Sequence, residues 1–332
     1  MSAEQRVVAG IDEAGLGPLL GPLTLGYSVL RLPAEVGNVW TALEDIVAQA
    51  PSRADDRIVV ADSKKVHSRN ERGRQRLETT ALTLLAQRSE GAPTSGAGLL
   101  RTPVASLRPR ATSVARHPWY ERLPERLPLW SDPGRTELRA EALRRSLGRA
   151  GIEVPDAGVR VVPAGELNRS FDRTGNKSST VWELVGGILE HLWESFGQEG
   201  IHTLVDRQGG RFRYGRLLQE LLPSARIRPV VETPDHSEYH LEEADPARPT
   251  RSMRLTFAER AEDRAFSVAV ASCLAKYGRE LSMEAFNAYF GELQPGLRPT
   301  AGYTTDGRRW VQDAAGTLKQ DEIDPEVLLR RR

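Results

Sequence analysis

The chain predicts an α/β protein with a mixed central sheet flanked by helices and an inserted segment. Three observations carry that expectation. Short runs rich in Val, Ile and Leu alternate with segments of helical periodicity. Several of the strand-like runs end in an acidic residue, where such folds place their sites. A stretch of different texture, rich in arginine and proline, interrupts the alternation after residue 90.

Residues 7–11 and 23–30 read as two strands joined by a Gly- and Pro-containing turn over 15–22, and residues 57–61 as a third. Residues 70–87 read as a helix with Arg and Glu on one side and Leu77, Leu82, Leu84 and Leu85 on the other. Gly, Pro and Ser break the pattern over 91–98. Between residues 101 and 149 eleven arginines face five acids, with Trp119, Tyr120 and Trp130 among them. This segment reads as an insertion over 91–157 with a helix at 135–149. The regular pattern then returns as a strand at 159–162, a helix at 179–196, a strand at 202–205 and a helix at 214–222. A strand at 227–231 and a hairpin pairing 238–241 with 253–257 follow. Residues 267–276 form a small-residue apolar helix expected deep in the core. The charged tail over 321–332 is expected to fray. The domain reading is a catalytic unit from 1–90 and 158–310, the insertion, and a tail over 311–332.

Length and composition bound the possibilities. A chain of 332 residues suggests about two domains, or one with large insertions. Hydrophobic content of 39% and charged content of 27% suit a globular protein with a sizeable core. A net charge of +1 means that nucleic-acid contacts must come from local patches. Cys273 is the only cysteine, which excludes an internal disulfide and a cysteine-cluster zinc site. There is no signal-peptide h-region in residues 1–6 and no apolar run near the roughly 18 residues that a membrane span needs. The expectation is a cytoplasmic monomer without a membrane partner.

The chemistry concentrates in Asp12-Glu13-Ala14-Gly15-Leu16-Gly17-Pro18, at the end of the first apolar run. Adjacent, partly buried carboxylates raise each other's pKa, and a divalent cation offsets that cost. Asp206 ends another strand, and Glu262 and Asp263 precede the small-residue helix. Taken singly, Asp206 could cap a turn, and Glu262 and Asp263 could serve as helix N-terminal charges. Together, four converging carboxylates suit Mg²⁺ or Mn²⁺, with two ions about 3.5–4 Å apart supporting in-line phosphoryl displacement. Asp62-Ser63-Lys64-Lys65 offers a hydroxyl and a lysine for a phosphate, or alternatively a solvated polar turn. Gly15, Gly17 and Gly21 do not make a dinucleotide fingerprint, because the turn leads into a strand and not a helix. No Gly-Lys-Ser/Thr follows, which excludes a phosphate loop.

Taken in order, these motifs resemble the ribonuclease HII family and its relative ribonuclease HIII. Asp12 to Leu19 with Gly21-Pro22 resembles the family's D-E-A-G-R-G-P signature and following G-P. Asp62-Ser63-Lys64 is similar to its D-S-K, and Leu204-Val205-Asp206 to the strand bearing the third acid. The run from Ser267 to Lys276 is similar to its small-residue helix, and Gly302-Tyr303-Thr304-Thr305 to its G-Y-x-T. The resemblance covers about residues 5–90 and 158–310. It implies an RNase H-like fold and metal-dependent cleavage of the RNA strand of RNA/DNA hybrids, or of DNA at embedded ribonucleotides, leaving 3′-hydroxyl and 5′-phosphate ends. The catalytic set carries over as Asp12, Glu13, Asp206 and a fourth acid. Spacing assigns that acid to Glu262, while residue type favours Asp263; Glu262 is preferred. Substrate-reading positions carry over as Gly15, Leu16, Gly17, Ser63, Lys64 and Tyr303. Departures sit at Leu16, where the family has arginine, at Ala301 in place of lysine, and at Arg308 in place of histidine.

Two other readings compete. A weakly catalytic nucleic-acid-binding homologue would use the insertion's arginines and aromatics for backbone contacts and stacking. A related nuclease on the same fold would act on DNA or structured junctions.

Overall fold

The two apolar runs that open the chain pair along their whole length. The computed structural model describes residues 5–52, 54–68, 70–101, 115–207 and 209–331. In it β1 (Gln5–Ala14) runs antiparallel to β2 (Leu23–Pro33), in register from Gln5–Pro33 to Ala14–Thr24. The expected third strand is shorter than residues 57–61 and lies outside the main sheet. Only β3 (Val47–Ala48) and β4 (Ile58–Val59) pair there, as a separate parallel ribbon, and Asp62 then caps the helical turn Ser63–Val66.

The main sheet adds β5 (Glu153–Val162), β6 (Ile201–Asp206), β7 (Ala225–Glu232), β8 (His236–Glu243) and β9 (Ser252–Ala258). Its order is β5-β2-β1-β6-β9-β8-β7. β6 is parallel to β1 and β9 is parallel to β6, whereas the β2–β5, β8–β9 and β7–β8 pairings are antiparallel. The sheet is therefore mixed, as expected. The strand expected at 159–162 starts six residues earlier, at Glu153. Pro155 hides that start in the sequence, and an edge position tolerates it because an outward backbone needs no donor there. Pro229 sits on the opposite edge strand for the same reason.

Helices cover the sheet on both sides. The helices include α1 (Glu71–Leu85), α2 (Pro133–Arg149), α3 (Lys177–Phe196), α4 (Phe266–Leu293) and α5 (Thr304–Asp313), besides Ala164–Thr174 and Gly215–Leu221, and α3 and α4 lie against the sheet. Side chains alternate along β1, so Val7, Ala9 and Ile11 join a core with Val185, Ile188, Leu192 and Trp193 of α3. The opposite face meets α4, which runs far beyond the expected end at Lys276. A Cβ on Gly10 would lie 2.2 Å from the Ser267 carbonyl carbon, and one on Gly26 would lie 2.0 Å from the Ala271 oxygen. α4 thus lies directly on the backbones of β1 and β2. The hydroxyls of Ser28 and Thr24 donate to the carbonyls of Ser267 and Ala275, each at 2.8 Å.

The described part of the arginine-rich segment is built into this core. Trp119 and Tyr120 are buried, and Trp119 packs on Phe286 and Phe290 of α4. Glu78 departs from the expected exposed side of α1 and is wholly buried. Its carboxylate accepts the amides of Leu129, Trp130 and Ser131 at 2.7, 2.6 and 2.6 Å, and the Tyr277 hydroxyl at 3.0 Å. One buried acid therefore joins α1, the arginine-rich segment and α4. Among the described residues, no helix is long and apolar enough to cross a membrane.

The closeness of α4 to the hairpin has a direct test. Gly26→Ala is expected to lower unfolding free energy in urea by about 2–4 kcal/mol, because backbone must move to admit the methyl group. An unchanged urea midpoint would contradict this packing.

Candidate functional site

Three chain segments bring acids to the same end of the sheet. β1 carries Asp12 and Glu13 at its end, and β6, parallel to it, ends in Asp206. The loop after β9 makes a single 3-10 turn over Ala261–Asp263 and supplies Glu262. Asp206 accepts the Ala261 amide at 3.2 Å, which ties that turn to β6 and sets Glu262 within electrostatic range of Asp206. Asp12 accepts its neighbour's amide, from Glu13, at 2.7 Å. The hydroxyl of Ser272, on the buried face of α4, lies beside Asp12 and opposes the rise in its pKa. The Ser63 amide donates to that same Ser272 oxygen at 3.3 Å, which brings in the segment carrying Lys64.

Burial raises the pKa of every member of this group. Asp12 is pushed well above the ordinary range by desolvation, then by the charge of Glu13. Glu13 is pushed up to about 7 by burial, then by Asp206. Asp206 and Glu262 are also raised, mainly by burial. Lys64 opposes the shift at Glu13 and Asp206 without cancelling it.

The expected residues separate clearly. Asp12, Glu13, Asp206 and Glu262 act electrostatically on one another. Asp263 turns away: its carboxylate is bound by Lys65 at 2.7 Å and Arg260 at 2.5 Å, and the Lys65 bond leads the causes that lower its pKa. Lys64 is exposed beside the acids, while Ser63 is buried behind them.

The donor set fits a hard divalent cation. All four groups are carboxylates, their charged forms are disfavoured by burial, and Glu262 Oε2 is buried without a hydrogen-bond partner. Among the described residues, no three His, Cys, Asp or Glu side chains close into a ready-made metal cage. The acids stand as repelling neighbours that a cation would draw together.

Beside the acids, the turn from Gly15 to Pro22 is held from below. Gly15 has φ +87°, a conformation that favours glycine. Buried Arg279 of α4 donates to Pro22 O at 2.5 Å, Leu20 O at 3.3 Å and Ala301 O at 3.1 Å. Gly302 O accepts the amides of Leu19 and Leu20 at 2.7 and 3.1 Å, so the exposed Tyr303 ring is anchored next to the turn. Leu16 packs partly on the α3-side core, and Gly17 is open to solvent.

Three contributors escape the sequence reading. Ser272 is one of two hydroxyls in the small-residue run, a faint signal of a special role. Arg279 lies beyond the expected end of that helix. Arg330 carries no sequence signal, and it belongs to the tail expected to fray. That tail is docked instead: Val327, Leu328 and Arg330 are buried, and Leu329 bridges to Leu20.

The fold and site together define an α/β protein with a four-carboxylate cluster at the ends of its central strands. No protein-family model matches the chain, and no curated protein sequence matches it. Solved structures do resemble it. One is the PCNA–ribonuclease HII complex from Archaeoglobus fulgidus, at 15% identity and TM-score 0.40, covering 98% of this chain and 94% of that one. Another is ribonuclease H2 from Pyrococcus horikoshii, at 18% identity and TM-score 0.42, covering 97% and 92%. A third is Bst ribonuclease HIII in complex with Mn²⁺, at 16% identity and TM-score 0.46, covering 99% of this chain and 67% of that one.

The raised carboxylates make stability depend on pH and cation together. Their folded-state pKa values lie above the unfolded ones, so the protonated forms favour folding at low pH. That contribution is lost as pH rises through the folded values, about 7 for Glu13. In EDTA, stability is expected to fall by roughly 2 kcal/mol between pH 5 and pH 8, and Mn²⁺ is expected to restore it. Asp12→Asn is expected to flatten the EDTA profile. Thermal melts across pH would refute the coupling if wild type and variant fell in parallel.

Proposed function

We propose that this protein is a ribonuclease HII/HIII-like endoribonuclease that depends on Mg²⁺ or Mn²⁺. Its substrate would be the RNA strand of RNA/DNA hybrids, or DNA at embedded ribonucleotides, cut to leave 3′-hydroxyl and 5′-phosphate ends. The observation that carries this reading is the convergence of Asp12, Glu13, Asp206 and Glu262, four desolvated carboxylates delivered by three chain segments.

The residues have separable tasks. Asp12, Glu13, Asp206 and Glu262 would hold the cation, which when bound neutralises phosphate charge and activates water for hydrolysis. Glu262 is chosen over Asp263, whose carboxylate is already engaged by Lys65 and Arg260. The Glu13 amide orients Asp12, and Asp206 holds the turn that carries Glu262 through the Ala261 amide. Exposed Lys64 meets the phosphate. The Gly15–Gly17 turn and Tyr303, which flank the acids, would read the sugar on either side of the cut.

The reading in which the arginine-rich segment binds nucleic acid by stacking has less support. Trp119 and Tyr120 are buried, so their faces are not available to bases. Six of the eleven arginines already pair with acids: Arg116 with Asp324, Arg122 with Glu292, Arg135 and Arg139 with Asp56, Arg144 with Glu141, and Arg149 with Asp45. Arg108 and Arg110 lie outside the described residues.

The test uses a duplex with a single ribonucleotide and a continuous hybrid, each with Mg²⁺, Mn²⁺ or EDTA. Metal-dependent cleavage is expected, and Asp12→Asn is expected to lower it by about 10³-fold or more while the thermal transition survives. Undiminished cutting in EDTA or by the variant would overturn the proposal.

A further inference from the structure

The segment over residues 324–331 is clamped under the turn that flanks the acids. Asn168 holds it in three places: its amide nitrogen donates to Glu326 O at 2.8 Å and Leu329 O at 2.7 Å, and its oxygen accepts the Arg331 amide at 2.8 Å. Leu328 is sunk into the core, and the Arg330 amide donates to Leu19 O at 2.9 Å. This places the Arg330 guanidinium, only 4% exposed, beneath Gly15–Gly17. It donates to Gly15 O and, at 3.0 Å, to Leu16 O, while its Nε has no partner. Burial, with Arg279 nearby, lowers its pKa to about 9, so the guanidinium is held there at a cost.

The consequence follows from peptide geometry. In a trans peptide the carbonyl and the following N–H point in opposite directions. With Gly15 O and Leu16 O turned down onto Arg330, the amides of Leu16 and Gly17 turn up and away from it. Among the described residues neither amide has a protein acceptor. Gly17 faces open space, where an added Cβ would meet nothing within 4 Å. Two free amides side by side, with two buried guanidiniums below, form a donor pair suited to a sugar hydroxyl or phosphate oxygen.

We propose that Arg330 is a positioning residue that sets the Leu16 and Gly17 amides toward a ribose 2′-hydroxyl, from beneath a turn whose own central residue is apolar. This rests on the nuclease reading above. It assigns substrate discrimination to a residue more than 300 positions away in sequence.

The test measures binding in an Asp12→Asn background, by anisotropy, with a duplex carrying one ribonucleotide and the all-DNA duplex of the same sequence. Arg330→Met is expected to reduce the ribonucleotide preference about tenfold, and Arg330→Lys to recover part of it. Asn168→Ala, which loosens the segment without touching the turn, is expected to give a smaller loss. Mn²⁺ affinity of Arg330→Met should match wild type, separating a positioning role from general damage. The order parameters of the Leu16 and Gly17 amides should fall from about 0.85 toward 0.6 in Arg330→Met. Unchanged preference and unchanged order in a folded Arg330→Met would overturn the proposal. A protein without metal-dependent cleavage would overturn the nuclease reading, and the amide order would then still decide whether Arg330 sets the turn.

Discussion

The direct contact of α4 with the β1–β2 hairpin governs most of what lies around it. Two backbones approach that closely only where side chains are absent, and Gly10 and Gly26 provide the absence. The helix then sits at a height that allows Ser272 to reach Asp12 and Arg279 to reach three carbonyls around the turn. Its outer face is free to receive Trp119 through Phe286 and Phe290. A helix held a side chain's thickness further off would reach neither the acid nor the turn.

Within that frame the site is a balance of opposed terms. Burial and mutual repulsion penalise the charged acids, and the compensation inside the protein, from backbone amides, the Ser272 hydroxyl and Lys64, is partial. The remaining imbalance is what makes a cation a natural component. Asp263 illustrates the contrast. One residue along from Glu262, it is screened by two basic groups and has no charge left to offset.

The basic residues follow a second logic. On the arginine-rich segment they form exposed pairs, each worth little for stability. Arg279 and Arg330 are different, because they are buried and donate to carbonyl oxygens around the Gly15–Pro22 turn that borders the acids. Their contribution is geometric: they fix which way the peptides of the turn face.

The sequence alone determined the α/β class, the mixed sheet's main strands and the acids at their ends. Those features depend on local pattern: runs of β-branched residues, period-3.6 apolar faces, and carboxylates where apolar strands stop. It also singled out Asp12, Glu13, Asp206 and the adjacent pair Glu262 and Asp263, where spacing favoured Glu262 and residue type favoured Asp263. Only the tertiary structure decided that, because orientation depends on the turn tied to Asp206 and on the basic partners that Asp263 finds across the loop. The start of β5 was masked by a proline that only an edge position permits. The burial of Glu78, Trp119 and Arg330 was equally hidden, since each is a polar or bulky group whose partners come from far along the chain. Local periodicity carries no record of such partners; the packing of α4 on the hairpin brings them together.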